Sequence, residues 1–215
     1  MKKGILGLLW ILIIFFSYKI YDSINGPIKF NEIKNKRYAD VINRLKTIRK
    51  AQIAHKDVKG VFSNNFDSLI KFVDEGIFTL IEKRDSSYLE YDRVYRIDML
   101  REVIVVDTLG TVNVKDSLFK QNEEYKNMAF IPVKGVEDSI FEIKSMIIDK
   151  NGYKVPVFEV KVSKNIVLFD QNKDLLKQEN ETISVDGVNG PEIILGSLSN
   201  VSTNGNWPTI FDADN

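Results

Sequence analysis

Apolar and polar residues follow three different rhythms along this chain, and each rhythm predicts a different kind of element. Gly4 to Phe16 read GILGLLWILIIFF without a charge and continue as Ser17, Tyr18, Lys19, Ile20 and Tyr21. A run that is apolar on every side predicts a helix surrounded by hydrocarbon rather than one lying on the flank of a core. From about Asn31 to Lys56 the period changes. Tyr38, Val41, Ile42, Leu45, Ile48 and Ala51 or Gln52 recur at steps of three and four, the pattern of an amphipathic helix. Lys36, Arg37, Asp40, Arg44, Lys46, Arg49 and Lys50 fill the other positions, which predicts a solvated, basic back. Gly26-Pro27 lies between the two patterns and is expected to break the helix there, because proline lacks the N–H and restricts its predecessor. Gly60 suits a left-handed cap, and Ser63 to Asn65 offer N-caps for a short helix through Phe66, Leu69, Ile70 and Val73, stopped at Glu75-Gly76.

Beyond Ile77 the period falls toward two. Short strands are predicted at Phe78–Ile81, Val94–Ile97, Glu102–Val106 and Thr111–Val114, with a turn at Leu109-Gly110. Phe119 to Tyr125 reads as a loop and Met128 to Val133 as a further strand. Phe141–Ile148 and Tyr153–Val157 flank Asp149-Lys-Asn-Gly152, the clearest hairpin signal in the chain. Phe158 to Val162 alternates, and Asp174 to Glu179 suits one helical turn. The last residues are rich in Gly, Ser and Asn around Trp207-Pro208, with an acidic end at Asp212 and Asp214. They predict a tail that is either packed by Trp207 or partly disordered. The expected fold class is α+β: a transmembrane helix, then an amphipathic and a short helix packed on a mainly antiparallel β domain. The expected divisions are an anchor over 1–26, a helical region over 27–76, a β domain over 77–200 and a tail over 201–215.

Charge sets the expected topology of the anchor. Lys2 and Lys3 precede the apolar run and favour an N-terminus on the cytoplasmic side, with the C-terminal domain periplasmic or extracellular. Tyr18, Lys19 and Tyr21 suit the interface, so residues 4–21 are the expected contact with the inner membrane. A cleaved signal peptide shares this layout but requires small residues at the cleavage site, and no A-x-A pattern follows Phe16.

Composition narrows the chemistry. The chain has 30 basic and 30 acidic residues. Setting aside Lys2, Lys3, Lys19 and Asp22 leaves 27 basic and 29 acidic, so no basic face for nucleic acid is implied. There is no cysteine, which removes disulfides, thiolate metal sites and a cysteine nucleophile. His55 is the single histidine and stands near a helix end, where it reads as structural. No phosphate loop or dinucleotide fingerprint is present. These points predict a non-enzymatic protein without a cofactor or an identifiable small-molecule substrate. One metal pattern stands out: Asp170, Asn172, Asp174 and Glu181 occupy positions 1, 3, 5 and 12 of a calcium loop, with Leu175 at the sixth position where glycine is needed.

Val41 to Val73 carries Ile48-Arg-Lys-Ala-Gln-Ile-Ala-His-Lys56, then Gly60-Val-Phe62, then Phe66-Asp-Ser-Leu69. With the basic start and apolar helix before it, this stretch resembles the type IV pilins and the pseudopilins of type II secretion over about the first third of the chain. The resemblance implies a single-pass envelope protein whose helix carries an antiparallel sheet, acting through protein partners, itself included. It implies processing between Gly4 and Ile5. Leu9 stands where those families place a glutamate that pairs with a neighbouring subunit, and Gly26-Pro27 is expected to interrupt their continuous helix. Both departures point to an accessory component of a secretion- or pilus-type assembly rather than a filament subunit. The alternative is a membrane-tethered ligand- or polysaccharide-binding domain using Tyr88, Tyr91, Tyr95 and Trp207. A hydrolase with two carboxylates facing each other across a cleft is the third reading.

Overall fold

The computed structural model describes residues 2–120 and 122–212, with side chains at residue 7 and from residue 9 onward. The chain opens with α1 (Lys2–Lys59), a single helix of 58 residues and about 87 Å. The expected break at Gly26-Pro27 does not occur. Proline's clash with its predecessor is partly a clash with that residue's Cβ, which Gly26 lacks. The remaining cost, one lost backbone hydrogen bond and crowding of the preceding turn, falls ahead of the core, which α1 joins at Phe30.

Beyond Phe30 the amphipathic reading holds. Tyr38, Val41, Ile42, Leu45, Ile48, Ala51 and Ala54 are buried and form the spine of the core. The basic back is less solvated than its pattern implies. Arg37 bonds the Val167 carbonyl at 2.9 Å, Arg44 bonds the Glu124 carbonyl at 3.1 Å, Lys46 bonds the Phe211 carbonyl, and Arg49 lies 5.5 Å from the Trp207 ring centre. These cations tie loops and the tail to α1, so the helix is covered on more than one side.

Gly60 (φ +78°) caps α1 through its N–H to the Lys56 carbonyl. The connection to α2 (Phe66–Glu75) is fixed by Gln52, fully buried. Its amide donates to the Ser63 carbonyl at 2.8 Å and accepts from the Ser63 N–H at 2.9 Å. Asn65 then caps α2, accepting from the Asp67 N–H at 2.7 Å.

The four short strands expected over 78–114 are two long ones. β1 (Ile77–Asp92) pairs antiparallel with β2 (Ile97–Asn113) as a two-stranded ribbon separate from the other sheet. Val94 to Arg96 belong to its tip turn rather than to a strand. Leu109-Gly110 is no turn either: the pairing slips between Leu80 and Ile81, and Leu109 is the extra residue of a bulge. After α3 (Val114–Leu118), Met128, Ala129, Ile131 and Val133 enter the core from irregular backbone instead of a strand.

The second sheet contains β3 (Glu142–Lys150), β4 (Tyr153–Ser163) and β5 (Glu192–Gly196) in the antiparallel order β3-β4-β5. Lys150 faces Tyr153, which leaves Asn151-Gly152 as a two-residue loop. Both have positive φ (+56° and +83°), as a type I′ hairpin requires. Phe158, Val160 and Val162 point alternately into the core. Between β4 and β5 lie α4 (Lys164–Val167) and α5 (Lys173–Asn180), the latter containing the expected helical turn. The tail is packed as far as it is described. Trp207 is buried, its indole N–H donates to Asp212 at 3.1 Å, and Gly205 passes so close that a Cβ would overlap the ring. Asp214 lies outside the described residues.

Candidate functional site

Two parts of the molecule expose apolar surface that the fold does not use. The first is the leading half of α1. Leu9 to Phe16, Tyr18, Ile20, Tyr21, Ile24 and Ile28 are exposed, on all sides of the helix. Among the described residues no helix is long and apolar enough to cross a membrane. The side chains at 4–6 and 8, where the expected anchor begins, lie outside the described residues.

The second is the ribbon. Its base joins the body where the Val114 N–H donates to the Gly76 carbonyl and Phe78 packs against the core. Beyond the bulge, neither face is covered. Alternation places Glu82, Arg84, Ser86, Tyr88 and Glu90 on one face with Val103, Val105, Asp107, Arg101 and Met99 across from them. Here Arg84 pairs with Asp107, and Arg101 donates to Glu90 at 3.0 Å. The other face carries Val106, Ile104, Leu100, Leu89 and Tyr91, interrupted by Lys83, Asp85, Glu102 and Asp98. Ile104 is 61% and Leu100 64% exposed. Tyr88, Tyr91 and Tyr95 are at or near the tip, on two faces and a turn, so they form no concave platform. Trp207 is buried in the body, far along the chain from them and facing the core.

The calcium pattern is not assembled. The Asp170 carboxylate receives both Arg37 amino groups, at 2.6 and 2.8 Å, and this pairing holds its carboxyl well below the usual range. The Asn172 side chain is spent capping α5, accepting from the Asp174 and Leu175 N–H groups. Glu181 stands at the far end of α5, because a helix occupies the positions where a calcium loop would curl back. Among the described residues no group of three His, Asp or Glu side chains could hold a metal ion.

The chemistry that periodicity did not reveal lies next to this segment. Lys164 is fully buried, and its ammonium donates to the Glu179 carbonyl (2.8 Å), the Glu179 carboxylate (3.0 Å) and the Val188 carbonyl (2.8 Å). Lys34 reaches the other carboxylate oxygen at 3.0 Å, and the Tyr38 hydroxyl donates to the first at 3.2 Å. Burial pushes the Glu179 carboxyl up, but hydrogen bonds and charge from Lys164 and Lys34 outweigh it and hold it below the usual range. Burial, reinforced by Glu179, drives the Tyr38 hydroxyl well above its usual range. All three ammonium protons of Lys164 have acceptors, so the cluster fastens α4, α5 and the Val188 loop to α1. A lysine just after a strand carries no sequence signal for such a role.

His55 is buried. Its Nδ1–H donates to the Val61 carbonyl at 2.6 Å, and its ring meets Phe72 edge-on at 4.9 Å. It borders an open groove of about 380 Å³ lined by Phe62, Ser63, Ser145, Met146 and Pro156. That groove holds no carboxylate and no second titratable side chain; a second groove of about 380 Å³ that His55 also borders is lined by Lys59, Lys71 and Glu75. No protein-family model, curated protein or solved structure matches this chain.

Proposed function

We propose that this protein is a membrane-anchored scaffold of the cell envelope, which holds a folded body at a membrane surface and acts through protein contacts rather than catalysis. One observation carries this reading. A single helix is apolar and unpacked around its whole circumference from Leu9 to Phe16, then becomes the central spine of the core beyond Phe30. Surface of the first kind is stable in water only when covered, and hydrocarbon covers all sides at once. From Gly4 to Tyr21 the helix is about 27 Å long, close to the hydrocarbon thickness of a bilayer of about 30 Å. Tyr18, Lys19 and Tyr21 then sit at one interface, and Lys2 and Lys3 precede the other.

The uninterrupted α1 also bears on the pilin and pseudopilin resemblance. One of the two departures from those families, the expected break at Gly26-Pro27, is absent. The other, Leu9 in place of a glutamate, stands. An accessory component of a secretion- or pilus-type assembly is the form of scaffold that this combination favours.

The test is cell fractionation with protease treatment of spheroplasts. The full chain should remain with membranes after alkaline carbonate extraction, and external protease should remove the body. A chain released by carbonate, or a body protected from external protease, would contradict the reading.

A further inference from the structure

A ribbon of two strands is at best marginal in water, and three or more strands or a packed face are needed for independent stability. β1 and β2 have neither over most of their 16 and 17 residues. A further strand would complete this sheet, and its two edges are unlike. Along β1 the outer half reads Glu82-Lys-Arg-Asp-Ser-Ser87, a charged and polar edge of the kind that discourages further pairing. Opposite it, β2 reads Val103-Ile-Val-Val106, an unbroken β-branched run without proline. Among the described residues β2 pairs only with β1, so the backbone groups of its outer edge have no strand partner.

We propose that β2 pairs antiparallel with β2 of a second copy of this chain, centred on Ile104, to make a continuous four-stranded sheet in the order β1-β2-β2-β1. A two-fold axis perpendicular to a sheet relates each residue to one of equal facing, so the pairing is centred on a residue rather than between two. Centred on Arg101 or Glu102, it would set like charges directly opposite, which is unfavourable. Centred on Ile104, it sets Ile104 against itself and Val103 against Val105. It also sets Arg101 against Asp107, and does so twice because the axis repeats the pair. Centres on Val103, Val105 or Val106 produce no such charge pairing. Within one ribbon Arg101 already touches Glu90, and Asp107 already touches Arg84. The new pairs extend these into an alternating row, Glu90, Arg101, then Asp107 and Arg84 of the second copy, on one face of the joined sheet. The interface is isologous and closes after two copies, because the charged β1 edges end up on the outside. It rests on the ribbon alone and does not depend on the membrane reading.

The chain has no cysteine, so one introduced cysteine reports register without background. The full chain in mild detergent, carrying Ile104→Cys, should form a disulfide dimer in high yield under mild oxidation. Val94→Cys at the tip is the control. It is 83% exposed, but in this register it lies about 34 Å along the strand from the axis, and it should remain monomeric. Val105→Lys should convert the dimer to monomer in sedimentation while leaving the thermal unfolding of the body unchanged. Equal cross-linking at 94 and 104, no cross-linking at 104, or a dimer indifferent to Val105→Lys would each overturn the pairing. The last result would assign dimerisation to the apolar helices instead. Carbonate extraction, which tests the anchor, reads out separately from all of these.

Discussion

The two antiparallel sheets draw on the same residue types and end in opposite conditions. In β3-β4-β5, Phe158, Val160, Val162, Ile193 and Leu195 are buried against α1, and the strand pattern alternates in and out. In the ribbon, Leu89, Leu100, Ile104 and Val106 are at least as apolar, yet all face solvent. The difference lies in what each sheet has to pack on. The three-stranded sheet runs directly from β4 into α4, and its buried side chains share one core with those of α1. The ribbon leaves the body at Gly76 and returns at Val114, and only its base touches anything. Apolar content alone therefore does not distinguish a core strand from an interaction surface. The presence of an opposing layer does.

Breaking the comparison most severely means attacking what locks the body together. Lys164→Met leaves Glu179 buried with one ammonium partner fewer, and removal of one member of a buried ion pair costs about 3–5 kcal/mol. Urea unfolding should show a loss of that size, and Lys164→Met combined with Glu179→Leu should recover most of it. Next in size, and sharper as a contrast, is a matched pair of truncations. Phe158→Ala in β4 should cost about 3–5 kcal/mol, whereas Leu100→Ala in the ribbon should change body stability by less than about 0.5 kcal/mol. Comparable losses at both positions would mean that the ribbon is part of the folding unit.

The smallest expected effect concerns alkaline pH. Burial, with the Asp74 carboxylate adding to it, pushes Tyr125 up to about 12, and Tyr38 is raised as well. A raised tyrosine in the native state contributes stability that is complete below the ordinary phenol range near pH 10. That contribution fades as pH rises from there through about 12, because the unfolded chain ionises first. Absorbance at 295 nm should show Tyr38 and Tyr125 ionising above the ordinary phenol range, with unfolding free energy falling over the same interval.

Local rules were enough for much of the body. The α1 core face, the Gly60 and Asn65 caps and the Asn151-Gly152 hairpin were legible, because each depends on residues within one or two turns of one another. The break expected at Gly26-Pro27 does not occur, because the rule against proline is weakest where its predecessor has no Cβ and the helix has not yet entered the core. The ribbon's pattern predicts only fragments, since Glu82-Lys-Arg-Asp-Ser-Ser87 has poor strand propensity and is held extended by pairing with Val103–Val106. The Glu179 cluster was not legible at all. Lys34, Lys164 and Glu179 are separated by more than a hundred residues at the widest and meet only through tertiary packing. The calcium pattern failed for the complementary reason: a spacing in sequence was present without the backbone path that would make it a loop.

The central claim is that the exposed half of α1 resides in hydrocarbon while the body does not, and the chain carries one tryptophan in each. Trp10 lies on the exposed helix at 60% exposure, and Trp207 is buried in the body. The decisive measurement is quenching of tryptophan emission from the full chain reconstituted in vesicles, with bromine atoms on the lipid acyl chains and acrylamide in the water. The emission of Trp10 should be quenched by the brominated lipid and insensitive to acrylamide, with that of Trp207 unaffected by bromine; Trp207→Phe assigns the two signals. Emission from Trp10 that ignores brominated lipid and is quenched by acrylamide would place this helix in water and contradict the account.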